Sequence, residues 1–239
     1  MNSEQSRAEK LAQQYEGRFT LINHPLVVHK MALLRDKSTP AGVFRQLVRE
    51  LTLLEAYEAT KHLETHQTTI ETPITQTVGT VISNQEPVVV PILRSGLSML
   101  DAMLELIPNA PVAHLGMARD EITHQAKLYY AKMPPMLAER QAIVIDPMLA
   151  TGGSLTMAID LLRERGVKDM VAMVILACPE GVEAVLKADK HIQLFACALD
   201  EGLTPEAFIT PGLGDAGDRM YQTLDTPVEG TAATAAAQV

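Results

Sequence analysis

IVIDPMLATGGS, residues 143–154, is the stretch from which the fold reads most directly. An apolar, β-branched run ends at Asp146. Pro147 biases that aspartate toward an extended conformation, so its carboxylate belongs at a strand's end. Thr151, Gly152, Gly153 and Ser154 then open a helix that runs over 154–165 and stops at Gly166, a good C-cap residue. Paired glycines let a backbone turn tightly and approach a ligand closely. A helix N-terminus presents unpaired N–H groups and a partial positive charge, which together cradle phosphate. The Thr151 and Ser154 hydroxyls can donate to the same phosphate, and an acid one loop upstream can accept from sugar hydroxyls. The combination suggests a grip on ribose 5-phosphate. The common nucleotide motifs, G-x-x-x-x-G-K-[ST] and G-x-G-x-x-G after a strand, are absent.

The same pattern repeats outward. Apolar runs at 88–93, 112–115, 142–145, 170–177 and 192–199 predict strands, and 97–107, 154–165 and 181–188 predict helices between them. Continuous apolar strands joined by helices predict an α/β fold with a mainly parallel sheet flanked by helices. Ligands in such sheets bind beyond the carboxyl ends of the strands. Upstream, Thr39 reads as a helix cap with Pro40 at the first helical position. Phe44, Leu47, Val48, Leu51, Leu54 and Tyr57 follow as one apolar face, with Arg45, Arg49 and Glu55 opposite. The polar segment 116–135, with Tyr129, Tyr130, Pro134 and Pro135, predicts a mobile flap or hood that excludes water.

Residues 1–17 read as a polar extension, 18–225 as one domain, and 226–239 as a disordered tail of small residues. Across the 239 residues, 47% are hydrophobic and 21% charged, the balance of a soluble globular chain. A net charge of −9 argues against nucleic acid as a partner, because gripping its backbone needs clustered positive charge. The longest apolar run, Met170–Pro179, is far short of the roughly 20 residues of a bilayer span, so no membrane association is expected. No secretory leader is read at the N-terminus, and two cysteines do not make a disulfide framework; both readings predict a cytoplasmic protein. Cys178 and Cys197 read as buried small hydrophobes. The 7 histidines show no metal-ligand spacing, so no zinc site is expected.

VIDPMLATGGS resembles the phosphoribosyl-pyrophosphate loop of the type I phosphoribosyltransferases, in the form seen in the uracil phosphoribosyltransferase family. FITPGLGDAGDR at 208–219 is similar to that family's uracil-binding segment. PILRSGLSM at 91–99, GMARDE at 116–121 and LVVHKMALLRDKSTP at 26–40 also resemble it, so the likeness covers about residues 18–221. It implies the type I phosphoribosyltransferase fold. It also implies transfer of a phosphoribosyl group from 5-phospho-α-D-ribose 1-diphosphate to N1 of uracil, giving UMP and diphosphate, with Mg²⁺ bound through the substrate, near Asp146, rather than by side-chain ligation. Members form homodimers or homotetramers, and in many GTP activates.

The resemblance assigns the phosphoribosyl substrate to Arg94, Arg119, Asp146, Pro147, Met148, Leu149, Ala150, Thr151, Gly152, Gly153, Ser154 and Asp215. It assigns uracil to Ile209, Gly214, Asp215 and Ala216. Arg94 and Arg119 each follow a predicted strand, where a guanidinium fork suits the departing diphosphate. Asp215 is expected to orient the reactants and to relieve N1 of its proton. A glycine-rich loop offers backbone donors and acceptors that match uracil and leave cytosine's amine unpaired. Phe208 stands where the family usually has tyrosine, and Thr210 where it has valine, which keeps a stacking face but removes a hydroxyl. The alternatives are a non-catalytic regulator on the same fold, or the same chemistry on another base.

Overall fold

The computed structural model of the chain describes residues 3–82, 85–119 and 126–223. Its helices are α1 (Ser3–Gln14), α2 (Pro25–Arg35), α3 (Ala41–Ala59), α4 (Leu97–Leu106), α5 (Gly153–Glu164), α6 (Pro179–Ala188) and α7 (Ala216–Tyr221). Its strands are β1 (Phe19–Leu21), β2 (Thr65–Glu71), β3 (Gln76–Ile82), β4 (Val88–Leu93), β5 (His114–Arg119), β6 (Ala126–Lys132), β7 (Ala142–Ile145), β8 (Met148–Leu149), β9 (Met170–Ala177), β10 (Gln193–Leu199), β11 (Gly202–Leu203) and β12 (Ile209–Thr210). The main sheet has the order β1-β10-β9-β7-β4-β5-β6, with β8 added beside the far end of β9. All its pairs are parallel except β5 with β6. β2–β3 and β11–β12 are separate antiparallel hairpins.

The central strands are apolar on both sides because both faces are covered. On β4, β7 and the first half of β9, alternate residues point to opposite cores. Val88, Val90, Ala142, Val144, Met170 and Ala172 meet the helices α1, α5 and α6. Val89, Ile143, Ile145, Val171 and Met173 meet α2, α3, α4 and α7. Among the described residues no helix is long and apolar enough to cross a membrane. Cys178 and Cys197 are free thiols and buried.

The predicted strands at 88–93, 142–145 and 170–177 coincide with β4, β7 and β9. The run at 112–115 is displaced. Val112 makes only an isolated bridge to Val89, and regular pairing resumes at Ile92 with Leu115. Pro91 lies between and has no N–H to donate, so the ladder is interrupted there. The 116–135 segment, read as a flap, forms the rest of β5 and the antiparallel β6; residues 120–125 lie outside the described residues, as does the 226–239 tail.

Three sequence expectations are corrected. The N-terminal residues, read as a polar attachment, form α1. Its Ala8 and Leu11, with Tyr15 one residue past its end, recur at helical spacing and are buried, a stripe that the surrounding Glu and Gln residues obscure. Thr39 does not cap a helix. Pro40 holds the cap position of α3, while the Thr39 hydroxyl donates to the Leu33 carbonyl at 2.6 Å and ties α2 to α3. The buried stripe of α3 runs Phe44, Leu47, Val48, Leu51, Thr52, Glu55, Ala56 and Ala59, so Glu55 lies inside and Tyr57 outside. The 3.6-residue period drifts past the narrower face read from the sequence.

Glu55 enters the sheet where two strands change phase. Ile175 and Leu176 of β9 both face the α3 side, as do Cys197 and Ala198 of β10. Pairing runs through Ala196 with Val174 and resumes at Ala198 with Leu176. The Glu55 carboxyl accepts the Val174 amide at 3.0 Å and hydrogen-bonds the Cys197 thiol. Complete burial pushes its pKa well above the usual carboxylate range, so the group is held neutral. A carboxyl whose folded pKa is raised stabilises the fold fully below its unfolded pKa, and that contribution is lost as pH rises toward the folded value. Glu55→Gln, which keeps an acceptor and cannot ionise, should therefore gain stability relative to the parent as pH rises from the ordinary glutamate range toward the folded pKa. The slope is up to about 1.4 kcal/mol per pH unit, measurable by urea denaturation at several pH values; a margin independent of pH would refute the neutral carboxyl.

Candidate active site

The carboxyl ends of β4 and β7 are neighbours, and the chain leaves them in opposite directions. After β4 it passes through α4 to β5, on the α3 face; after β7 it passes through α5 to β9, on the α1 face. That divergence opens a crevice at the switch point of the sheet. A cavity of about 520 Å³ occupies it. Arg94 and Ser95 form one lip, Asp146 with residues 148–154 the floor, and Ile209 with 214–217 the opposite wall.

Asp146 leaves β7 with only 8% of its surface exposed. Burial raises its pKa to about 7. The Ser95 hydroxyl, which donates to Oδ1 at 2.9 Å, and the Met148 amide oppose the rise, and the charge of Asp215 adds to it. A carboxylate poised near neutrality in a cleft marks a functional position.

The phosphate-type loop is fastened from below. Its first residues, Met148 and Leu149, form β8 and pair with Leu176 and Ala177, the end of β9 beyond the phase change. The Cys178 amide donates to the Leu149 carbonyl at 3.2 Å and its thiol to the Ala150 carbonyl at 3.1 Å. Gly152, at φ +83°, caps α5 and contributes no side-chain hydrogen bond to the helix N-terminus. Helix α6 packs directly beneath. A Cβ on Gly181 would lie 2.4 Å from the Ala150 carbonyl oxygen, so only glycine lets this helix and the loop touch.

The opposite wall hangs from Asp200, the residue after β10. Its carboxylate forms a bidentate pair with Arg35 of α2 at 2.6 and 2.7 Å and accepts the Gly212 amide at 2.7 Å. Arg35 also donates to the Gly212 carbonyl at 2.9 Å. Gly212 has φ +66°, and a Cβ there would sit 2.0 Å from the Ile209 carbonyl oxygen, so the turn requires glycine. Arg219 closes the loop from behind. It stacks 4.4 Å over the Phe44 ring and donates to the Leu34 and Leu213 carbonyls at 2.8 and 2.9 Å. Asp215 caps α7, its Oδ1 accepting the Asp218 amide at 2.9 Å, and faces the cavity.

Most residues singled out in the sequence come together here: Arg94, Asp146, Met148, Leu149, Ala150, Thr151, Gly152, Gly153, Ser154, Ile209, Gly214, Asp215 and Ala216 all line the cavity. Pro147 does not; its carbonyl accepts the Leu176 amide at 3.0 Å and serves the loop's anchorage. Arg94 lies at the mouth, mostly exposed, 3.9 Å from the Asp218 carboxylate. Arg119 ends β5, in the strand beside β4; its side chain lies outside the described residues. Phe208 lines the cavity and is half exposed. The sequence reading missed Ser95, although it directly follows Arg94, and Tyr129, which reaches the cavity from β6 through the antiparallel register. It also missed the Arg35–Asp200 pair, which the rule of looking just after each strand could have found at Asp200.

A family model described as uracil phosphoribosyltransferase matches residues 21–223. The chain belongs to the uracil phosphoribosyltransferase family. It is 49% identical over 210 residues to a protein of that name from Kocuria rhizophila, covering 87% of this chain and 100% of that one. A namesake from Bifidobacterium animalis subsp. lactis is 48% identical over 209 residues, 86% of this chain and 98% of that one. The solved structure of the AQ2163 protein from Aquifex aeolicus superposes with a TM-score of 0.80 at 36% identity, over 85% of this chain and 97% of that chain. The family's α/β fold with its mainly parallel sheet is therefore the fold seen here.

The Asp146 environment is open to direct test. By carbon NMR its carboxyl should titrate with a midpoint near 7. Ser95→Ala removes a bond to the ionised form and should raise the midpoint, whereas Asp215→Asn removes a like charge and should lower it. A midpoint that neither variant moves would refute this geometry.

Proposed function

We infer that the chain transfers the phosphoribosyl group of 5-phospho-α-D-ribose 1-diphosphate to N1 of uracil, producing UMP and diphosphate. The observation that carries this reading is the meeting of two loops in one cavity. One ends in a helix N-terminus capped by glycine beside a buried carboxylate, and the other offers a glycine-rich backbone edge. In this reading the α5 N-terminus with Thr151 and Ser154 holds the 5-phosphate, and Asp146 accepts from the ribose hydroxyls. The main chain at Ile209 and Gly214–Ala216 reads the base. Phe208 supplies an aromatic face beside it.

As the bond from C1 to diphosphate breaks, positive charge grows on the sugar and negative charge on the leaving group. Arg94 at the mouth and Arg119 at the end of β5 are the cations that stabilise the leaving anion; the protein's larger contribution is to fix C1 and N1 in line. Asp215 orients both reactants and stands near the N1 proton. Its Oδ1 is committed to capping α7, which leaves Oδ2 for that task.

Mg²⁺ fits this arrangement as a companion of the substrate. Among the described residues no three acidic, histidine or cysteine side chains gather to hold a metal. Yet Asp146 and Asp215 repel across the cavity, a repulsion that a cation between them relieves. Bound there through diphosphate, with Asp146 facing it, the ion would neutralise leaving-group charge. Self-association into dimers or tetramers, activation by GTP and a cytoplasmic site of action belong to the same reading.

A base panel tests it. With Mg²⁺ and phosphoribosyl pyrophosphate, uracil should be converted to UMP, while cytosine, orotate and the purines are not. Running the panel with and without GTP, with solution mass measured in parallel, tests activation and assembly. Preferential use of orotate or a purine, or no turnover of any base, would overturn the assignment. Within the site, Arg94→Ala should lower kcat/KM by about 100-fold or more, as expected for loss of a charge that stabilises the leaving group. Gly181→Ala, which pushes on the phosphate loop alone, should raise the KM for phosphoribosyl pyrophosphate by about 10-fold and leave that for uracil unchanged.

A further inference from the structure

Helix α1 lies outside the residues that match the family, 21–223, yet it reaches the anchor of the base loop. Ala8, Leu11 and Tyr15 seat the helix on the core. From the same helix two polar side chains extend to the end of β10. Glu4 Oε1 accepts the Leu199 amide at 2.9 Å, and Arg7 Nη1 donates to the Asp200 carbonyl at 2.5 Å.

These backbone groups need partners because the edge strand beside them stops short. β1 pairs with β10 only as far as Leu21 opposite Ala196, and its last bond runs from the Ile22 amide to the Ala196 carbonyl. Beyond that point no strand among the described residues neighbours the outer side of β10, and buried backbone polar groups demand satisfaction. Glu4 and Arg7 supply it in place of a strand. The other groups of Asp200 are all committed. Its amide donates to the Ala177 carbonyl at 2.8 Å, and its carboxylate holds Arg35 and the Gly212 amide.

We propose that α1 is a positioning element for base recognition: Glu4 and Arg7 fix the end of β10, and through Asp200 they set the turn that presents residues 209 and 214–216 to the base. The proposal rests on the uracil reading above. The phosphate loop is anchored on β9 and α6 and meets these contacts through Ala177, so the larger effect falls on the base.

The test uses full-length Arg7→Ala, Glu4→Ala and Arg7→Lys, with Lys10→Ala on the exposed side of α1 as the control. Steady-state kinetics and hydrogen exchange of the ligand-free proteins are measured together. Arg7→Ala and Glu4→Ala should each raise the uracil KM about 3- to 10-fold, the cost of one lost hydrogen bond, with kcat and the phosphoribosyl-pyrophosphate KM within about 2-fold. Amides in 209–216 should exchange faster in both variants. Arg7→Lys should recover most of the uracil KM, and Lys10→Ala should match the parent. Unaltered exchange at 209–216, or equal increases in both KM values, would overturn the proposal. A parent protein that forms no UMP would refute the function itself, and the exchange comparison would still decide whether α1 sets the loop.

Discussion

The constraint on which the molecule depends is the parallel alignment of β4, β7, β9 and β10, which brings four strand ends to one edge of the sheet. Each end delivers something different. β4 delivers Arg94 and Ser95, β7 delivers Asp146, β9 carries the strap of the phosphate loop, and β10 carries Asp200. Because α4 and α5 depart to opposite faces, the space between β4 and β7 stays open. The site is thus a consequence of topology before it is a consequence of any particular side chain.

Two helices act on this edge from a distance. Helix α6 supports the phosphate loop through a backbone contact at Gly181, and α1 completes the end of β10 through side chains. Between them, Glu55 of α3 occupies the place where β9 and β10 change phase. That shift is what lets Leu176 and Ala177 pair with β8 while Asp200 reaches the base loop. A buried neutral carboxyl is a costly way to satisfy one amide. It is placed where a regular ladder cannot serve both loops.

Much of this was legible from the chain. β4, β7 and β9 are continuous apolar runs with abrupt polar ends, and the loops that follow them carry glycine, hydroxyl and acidic residues whose chemistry is local. What was hidden depends on meetings between distant segments. The start of β5 shifts because Pro91, in another strand, lacks a donor. Glu55 reads as a surface residue until the full width of the α3 stripe is seen. Helix α1 is obscured because its buried apolar residues, Ala8 and Leu11 with Tyr15 just past its end, are spaced among polar ones. The Arg35–Asp200 pair joins residues 165 positions apart; the place of Asp200 after a strand is legible, but its partner is not.

Arg219 and Asp146 give the two walls of the cavity unequal chemistry. Arg219 holds the wall of residues 209–217 with a guanidinium that stays protonated throughout the physiological range, stacked on Phe44 and donating to carbonyls that do not titrate. On the opposite wall, burial raises the pKa of Asp146 to about 7. Acidification therefore neutralises the carboxyl of one wall while the contacts of Arg219 on the other persist.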